Sequence, residues 1–243
     1  MNDISRRGLF AAGTAVAALG ALPAHAQERS VPPPPPAPSV GGKTTLNADQ
    51  ALNLLRDGNR AFLAGNVVQP DVGAARRLAL STGQGPFCAY VSCSDSRVPP
   101  ELLFGRGLGE LFIIRNAGNT VDTVAMGSIE YAVAVLGVPL VVVMGHESCG
   151  AVAAAMSVVS ENARFPGVIG NMIEPIIPAV LEARGQPGDP LESAVRQNVR
   201  RVVRKLREAS DPLLIDPQRN GTLKVVGAYY NLDSGKVDFF DQP

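Results

Sequence analysis

Tryptophan is absent from the 243 residues, and histidine occurs only at His25 and His146. His25 falls in a segment that reads as a cleaved leader, so His146 is the one imidazole left to bind a metal or carry a proton. Cysteine is scarce as well: Cys88, Cys93 and Cys149 form an odd set that cannot close into a full disulfide framework. Net charge is zero, with 22 basic and 22 acidic residues. That balance removes the electrostatic ground for expecting a nucleic acid or an anionic membrane as partner.

What is present begins with an export signal over residues 1–26. Arg6-Arg7 precedes an apolar run from Gly8 to Leu22, and Ala24-His25-Ala26 is a small-x-small cleavage site. The run is shorter than the roughly 18 apolar residues a membrane span requires, so no stable span is expected once the signal is removed. The paired arginines resemble a twin-arginine signal, which implies a periplasmic product starting near Gln27. Without residues 1–26 the chain carries 20 basic and 21 acidic residues and stays near neutral. Residues 27–43 hold Pro32 to Pro36 in succession and then Gly41-Gly42, the composition of an extended tether. Residues 44–243 are long enough for one well-buried domain.

Within that domain the periodicity alternates. Helical spacing from Asn47 to Gly65 and a short helix over Ala74–Leu80 precede an apolar strand, Phe87–Val91. Strands at Leu111–Ile114 and Leu140–Met144 follow, with helices over Thr123–Leu136 and Ser148–Val159. Helices over Val168–Ala183 and Leu191–Ala209 lead to a final strand, Leu223–Tyr230. Asp233-Ser234-Gly235 turns that strand into a hairpin with Lys236–Phe240. The basic residues of the 191–209 helix alternate with Val195, Val199, Val202, Val203 and Leu206, which is an amphipathic helix with a solvated face. The expected fold is α/β: a mostly parallel sheet wrapped by helices, with an antiparallel C-terminal hairpin. In such sheets ligands bind beyond the carboxyl ends of the strands.

Two segments at those ends carry chemistry. Cys93-Ser94-Asp95-Ser96-Arg97 sets a thiol, a carboxylate and a guanidinium at alternate positions, on one face if the segment is extended. Gly145-His146-Glu147-Ser148-Cys149-Gly150 spaces an imidazole and a thiol so that both reach one ion. Cys93, His146 and Cys149 together make a three-ligand site with one open position, the pattern of catalytic zinc. Asp95 is the one nearby group that could close it as a fourth ligand. A Cys93–Cys149 disulfide or inert buried thiols are the alternatives. Cys88, inside a strand, reads as a small apolar filler.

Taken in order, Cys93-Ser-Asp-Ser-Arg-Val98, Arg115-Asn-Ala-Gly-Asn119 and Gly145-His-x-x-Cys-Gly150 resemble a beta-class carbonic anhydrase of an exported bacterial kind. The resemblance runs from about Asn47 to Val237-Asp238-Phe239-Phe240. It implies one zinc per chain on Cys93, His146 and Cys149, and a zinc-bound hydroxide that attacks carbon dioxide to give bicarbonate and a proton. Asp95, paired with Arg97, would accept a hydrogen bond from that nucleophile, or ligate the metal and shut the site when the pair breaks. Gln84, Phe112, Tyr131 and Gly150 would line the substrate pocket, some from a neighbouring subunit of a homodimer or dimer of dimers. Val135 stands where plant members have a histidine considered a proton carrier. The regulatory bicarbonate site that some relatives build around a tryptophan cannot exist in that form here. Hydrolysis of carbon disulfide or carbonyl sulfide, and a non-catalytic zinc protein closed by Asp95, are the competing functions.

Overall fold

The computed structural model describes residues 35–66 and 69–243. The expected signal at 1–26 and residues 27–34 of the expected tether lie outside the described residues. Residues 35–43, expected to continue the tether, are folded instead. β1 (Ser39–Val40) and β2 (Lys43–Thr44) pair antiparallel across Gly41 and Gly42, both at positive φ. The two glycines supply the left-handed backbone a tight hairpin requires. Just before it, the Ala37 amide donates to Glu110 Oε1 at 2.8 Å.

α1 (Ala48–Leu63) starts at Asn47, whose side chain and that of Gln50 cap each other's backbone amides. α2 (Ala74–Ala79) precedes β3 (Cys88–Cys93), which is buried along its whole length, as a strand covered on both faces must be. α3 (Pro100–Phe104) was not expected; proline opens it and Gly105 at φ 58° closes it. β4 (Leu111–Asn116) passes through one 3-10 turn, Ala117–Asn119, into α4 (Thr123–Ala134), capped by Asp122. β5 (Leu140–His146) and α5 (Gly150–Glu161) follow. β3 and β5 extend two residues beyond their expected ends, so Cys93 and His146 are the last residues of strands.

The single helix expected over 168–183 is broken into α6 (Ile169–Ile173), a 3-10 turn over Glu174–Ile176, and α7 (Ile177–Ala183). Pro175 and Pro178 each lack the amide hydrogen a continuous helix would use. α8 (Pro190–Arg207) keeps Asp189 as its cap, Glu192 in its first turn and three basic residues in its last, matching the helix dipole at both ends. α9 (Pro212–Arg219), also unexpected, is capped by Asp211. β6 (Lys224–Tyr230) and β7 (Val237–Asp241) complete the chain.

The five-stranded sheet has the order β4-β3-β5-β6-β7, parallel except for the antiparallel pair β6–β7. Tyr90, Val142 and Met144 face one core with Leu55 and Phe104, while Val91, Val141 and Val143 face the other with Ile129 and Val203. Alternation along the strands thus feeds two cores. Parallel pairing also brings the carboxyl ends of β3, β4 and β5 to one edge, where Cys93 lies opposite Asn116.

Candidate metal centre

Cys93 closes β3, His146 closes β5, and Cys149 caps α5, so three elements deliver one donor each. The Cys93 Sγ, His146 ring nitrogen and Cys149 Sγ all lie within 4.8 Å of one another. The two sulfurs are 4.0 Å apart and the cysteines are free, which removes the disulfide alternative. A tetrahedral zinc with Zn–S near 2.3 Å places two thiolates about 3.8 Å apart, so the cluster fits that ion with little movement. His146 Nδ1 is 2.8 Å from the Glu147 carbonyl oxygen, and Nε2 is buried with no hydrogen-bond partner. A buried ring nitrogen left bare is costly unless something ligates it.

Electrostatics favour a cation here. The hydrogen bond from the Cys149 thiol is the largest of the effects that pull the Cys93 thiol below its ordinary range, helped by His146 and the amides of Gly118 and Asp95 against the opposing cost of burial. Cys149 is pushed up in turn by donating to Cys93 and by burial. The amides of Ala151 and Val152, in the first turn of α5, face the Cys149 sulfur. A helix N-terminus of this kind stabilises negative charge. Ser148, at φ 55°, makes the bend that carries the chain from β5 into the helix.

Asp95 and Arg97 meet for a reason other than the expected extended alternation. The chain turns after β3, with the Val98 amide bonded to the Asp95 carbonyl, and folds Arg97 back over Asp95. Arg97 donates from N and Nε to Oδ1, each at 2.9 Å, and from Nη2 to Oδ2 at 2.7 Å. These bonds hold the Asp95 carboxyl well below the usual carboxylate range. Its Oδ2 stands 3.9 Å from His146 Nε2, beside the donor cluster and outside hydrogen-bond range.

The expected pocket residues do not gather at this cluster within one chain. Phe112 pairs with Ala89, four positions before the level of Cys93, or about 13 Å along the strand. It stacks on Tyr131 with ring centroids 6.0 Å apart, on the sheet face that carries α4. Gln84 is exposed and precedes the opposite, amino end of β3. Gly150 does lie at the site as the first residue of α5, and a Cβ there would meet nothing within 4 Å. Cys88 is buried inside β3, apart from the cluster.

Four residues that sequence reasoning left without a role hold the site in place. Arg115 donates from Nε to the Cys93 carbonyl at 2.9 Å and from Nη2 to the Asp95 carbonyl at 2.5 Å. The Gly118 amide donates to Cys93 Sγ at 3.3 Å, and Asn198 Nδ2 donates to the Gly118 carbonyl at 2.8 Å. Glu147 Oε2 accepts the Leu232 amide at 2.8 Å, tying the metal loop to the C-terminal hairpin. Arg115 and Gly118 sit in the Arg-Asn-Ala-Gly-Asn segment that the resemblance flagged, although only the pairing of β4 with β3 shows what they touch.

Comparison with known proteins agrees with this arrangement. The carbonic anhydrase family profile matches residues 88–237. A carbonic anhydrase of Mycolicibacterium smegmatis is 38% identical over 192 residues, covering 79% of this chain and 93% of the relative. A carbonic anhydrase of Pseudomonas aeruginosa is 37% identical over 172 residues, covering 67% of this chain and 77% of the relative. Among solved structures, one of two tetrameric beta-carbonic anhydrases from the ascomycete Sordaria macrospora superposes with a TM-score of 0.60. It is 26% identical, with 78% of this chain and 93% of that one covered. The Coccomyxa beta-carbonic anhydrase bound to acetazolamide gives a TM-score of 0.59 at 27% identity, covering 78% of this chain and 86% of that one.

Proposed function

The chain belongs to the beta-class carbonic anhydrases, and from that membership we propose that it hydrates carbon dioxide reversibly on one zinc held by Cys93, His146 and Cys149. Bound there, zinc would supply the Lewis acidity that brings the pKa of a water from about 15.7 toward 7. The rest falls to the protein's own groups. Asp95, kept ionised by Arg97, accepts a hydrogen bond from the attacking water and fixes its direction. The His146 Nδ1 contact with the Glu147 carbonyl holds the ring so that Nε2 points into the cluster. The released proton leaves through water, buffer or another side chain, because His146 is the one histidine beyond residue 26 and is assigned to the metal.

The observation that carries this reading is the position of Asp95. Both its oxygens are bonded to Arg97 although it stands beside the three donors, so Asp95 would leave a zinc held by Cys93, His146 and Cys149 open to water. That arrangement favours catalysis over a closed structural site. Arg97→Ala tests it: the variant should keep about one zinc per chain by elemental analysis while hydration falls at least tenfold. A hydration rate equal to wild type would remove Asp95 and Arg97 from the mechanism.

Two wider expectations belong to the same reading. Val124 and Tyr131 on α4 and Val135 at its C-cap are exposed, with Tyr131 stacked on Phe112, an apolar face that a second copy would cover in a homodimer or a dimer of dimers. In that assembly Gln84, Phe112 and Tyr131 line the partner's substrate pocket. Among the described residues no helix is long and apolar enough to cross a membrane. Arg6-Arg7 and the Ala24-His25-Ala26 site support export to the periplasm by the twin-arginine route. N-terminal sequencing of periplasmic protein would then begin near Gln27.

A further inference from the structure

We propose that Asn198 is a positioning residue for the metal centre, acting through the backbone of Gly118 on the Cys93 sulfur. The inference rests on the metal reading above. Asn198 lies on α8 and is 2% exposed. Its Nδ2 donates to the Gly118 carbonyl at 2.8 Å, and the Gly118 amide donates to Cys93 Sγ at 3.3 Å. Gly118 therefore links a helix to a ligand through one residue's two backbone groups.

The link is rigid. Gly118 sits at φ 78°, a conformation that side-chain-bearing residues rarely adopt, and a Cβ there would lie 2.5 Å from Ile176 Cδ1 and 3.1 Å from the Ala151 Cβ. Two further bonds brace the same loop. Asn116 Nδ2 donates to the Thr120 carbonyl at 2.6 Å, and Lys205 Nζ donates to the Val121 carbonyl at 2.6 Å. Asn198 and Lys205 are seven residues apart, so they project from one side of α8 and grip the loop at two points. Of the two, Asn198 is bonded to the residue whose amide reaches the sulfur.

A hydrogen bond to a ligating thiolate draws electron density from sulfur and weakens its donation to the metal. Loss of the Asn198 bond frees the 118–119 peptide, the φ and ψ torsions of Gly118 relax, and the preceding 117–118 amide turns off Cys93, so the sulfur donates more strongly. The readout is the thiolate-to-metal charge-transfer band of the cobalt(II)-substituted protein, which moves to longer wavelength as donation rises. Asn198→Leu removes the donor while keeping the branching and the number of side-chain heavy atoms. Asn59→Leu is the control, because Asn59 is also buried and also braces backbone, at Gly235 and Val237, away from the metal donors.

The expected result is a red shift in Asn198→Leu and none in Asn59→Leu. A band at the wild-type position in folded Asn198→Leu would overturn the role of Asn198 and leave the metal reading standing. Absence of any thiolate band in wild type would overturn the metal reading and this inference together. Should Asn198→Leu not fold, Asn198→Ala carries the same comparison, and failure of both to fold would assign Asn198 to general stability instead.

Discussion

Arg115 shows how much of the site rests on single backbone contacts. Its guanidinium spans the carbonyls of Cys93 and Asp95, holding ligand and carboxylate in one frame. A lysine carries one ammonium and cannot make both bonds at the same geometry. Arg115→Lys should lose about one charge-assisted hydrogen bond, on the order of 1.5–3 kcal/mol, in thermal unfolding, with slower hydration at full zinc content. An unchanged melting curve would contradict that role. At this scale the sequence was partly legible. Cys93, His146 and Cys149 could be read because one histidine remained and it stood three residues from a cysteine after a strand. The Asp95–Arg97 pair was anticipated from alternation in an extended segment, whereas a turn makes it. Asn198 lies 80 residues from Gly118, and no local pattern marks a contact of that range.

Elements meet at positions where a side chain would not fit. A Cβ on Gly58 in α1 would lie 2.0 Å from the backbone oxygen of Phe104 in α3. Helix propensity alone favours alanine there by about 1 kcal/mol. Overpacking against backbone outweighs it, so Gly58→Ala should destabilise by about 1–3 kcal/mol, a fall in Tm of roughly 2–4 °C per kcal/mol. A raised Tm would contradict the packing. Between α7 and α8, Glu182 accepts from Gln197 Nε2 at 2.5 Å and pairs with Arg201, and the Gln197 bond is the largest cause of its lowered pKa. A depressed folded pKa stabilises above the ordinary glutamate value, about 4.3, and that contribution disappears as pH falls through the folded value. The Tm gap between wild type and Glu182→Gln should therefore be present at pH 7 and close as the pH falls below the ordinary glutamate range. The gap should be small, since the pair is partly solvated. The helix expected over 168–183 failed at Pro175 and Pro178 because amphipathic spacing continues across residues that cannot donate the helical bond. β1, β2, α3 and α9 are too short or too proline-rich for periodicity to reveal, and their caps and turns carry the signal instead.

As a whole molecule, the chain places its metal cluster at one edge of the sheet and its stacked Phe112 and Tyr131 elsewhere. The alternating strands and helices made the parallel sheet and its ligand edge legible, while the proposed completion of the pocket by a second copy would leave no mark in one chain's periodicity. Val124 is 77% exposed in the first turn of α4, on the face assigned to that second copy. Val124→Asp should yield a folded monomer by sedimentation, retaining zinc but losing most hydration. A dimer of wild-type stability would place the interface elsewhere. The most direct test of the central claim is stopped-flow carbon dioxide hydration by zinc-quantified protein at pH 7 and pH 8.5, beside Cys149→Ser. The account predicts hydration that scales with bound zinc, is faster at pH 8.5 and disappears in the variant. Fully zinc-loaded protein that hydrates carbon dioxide at neither pH would contradict it.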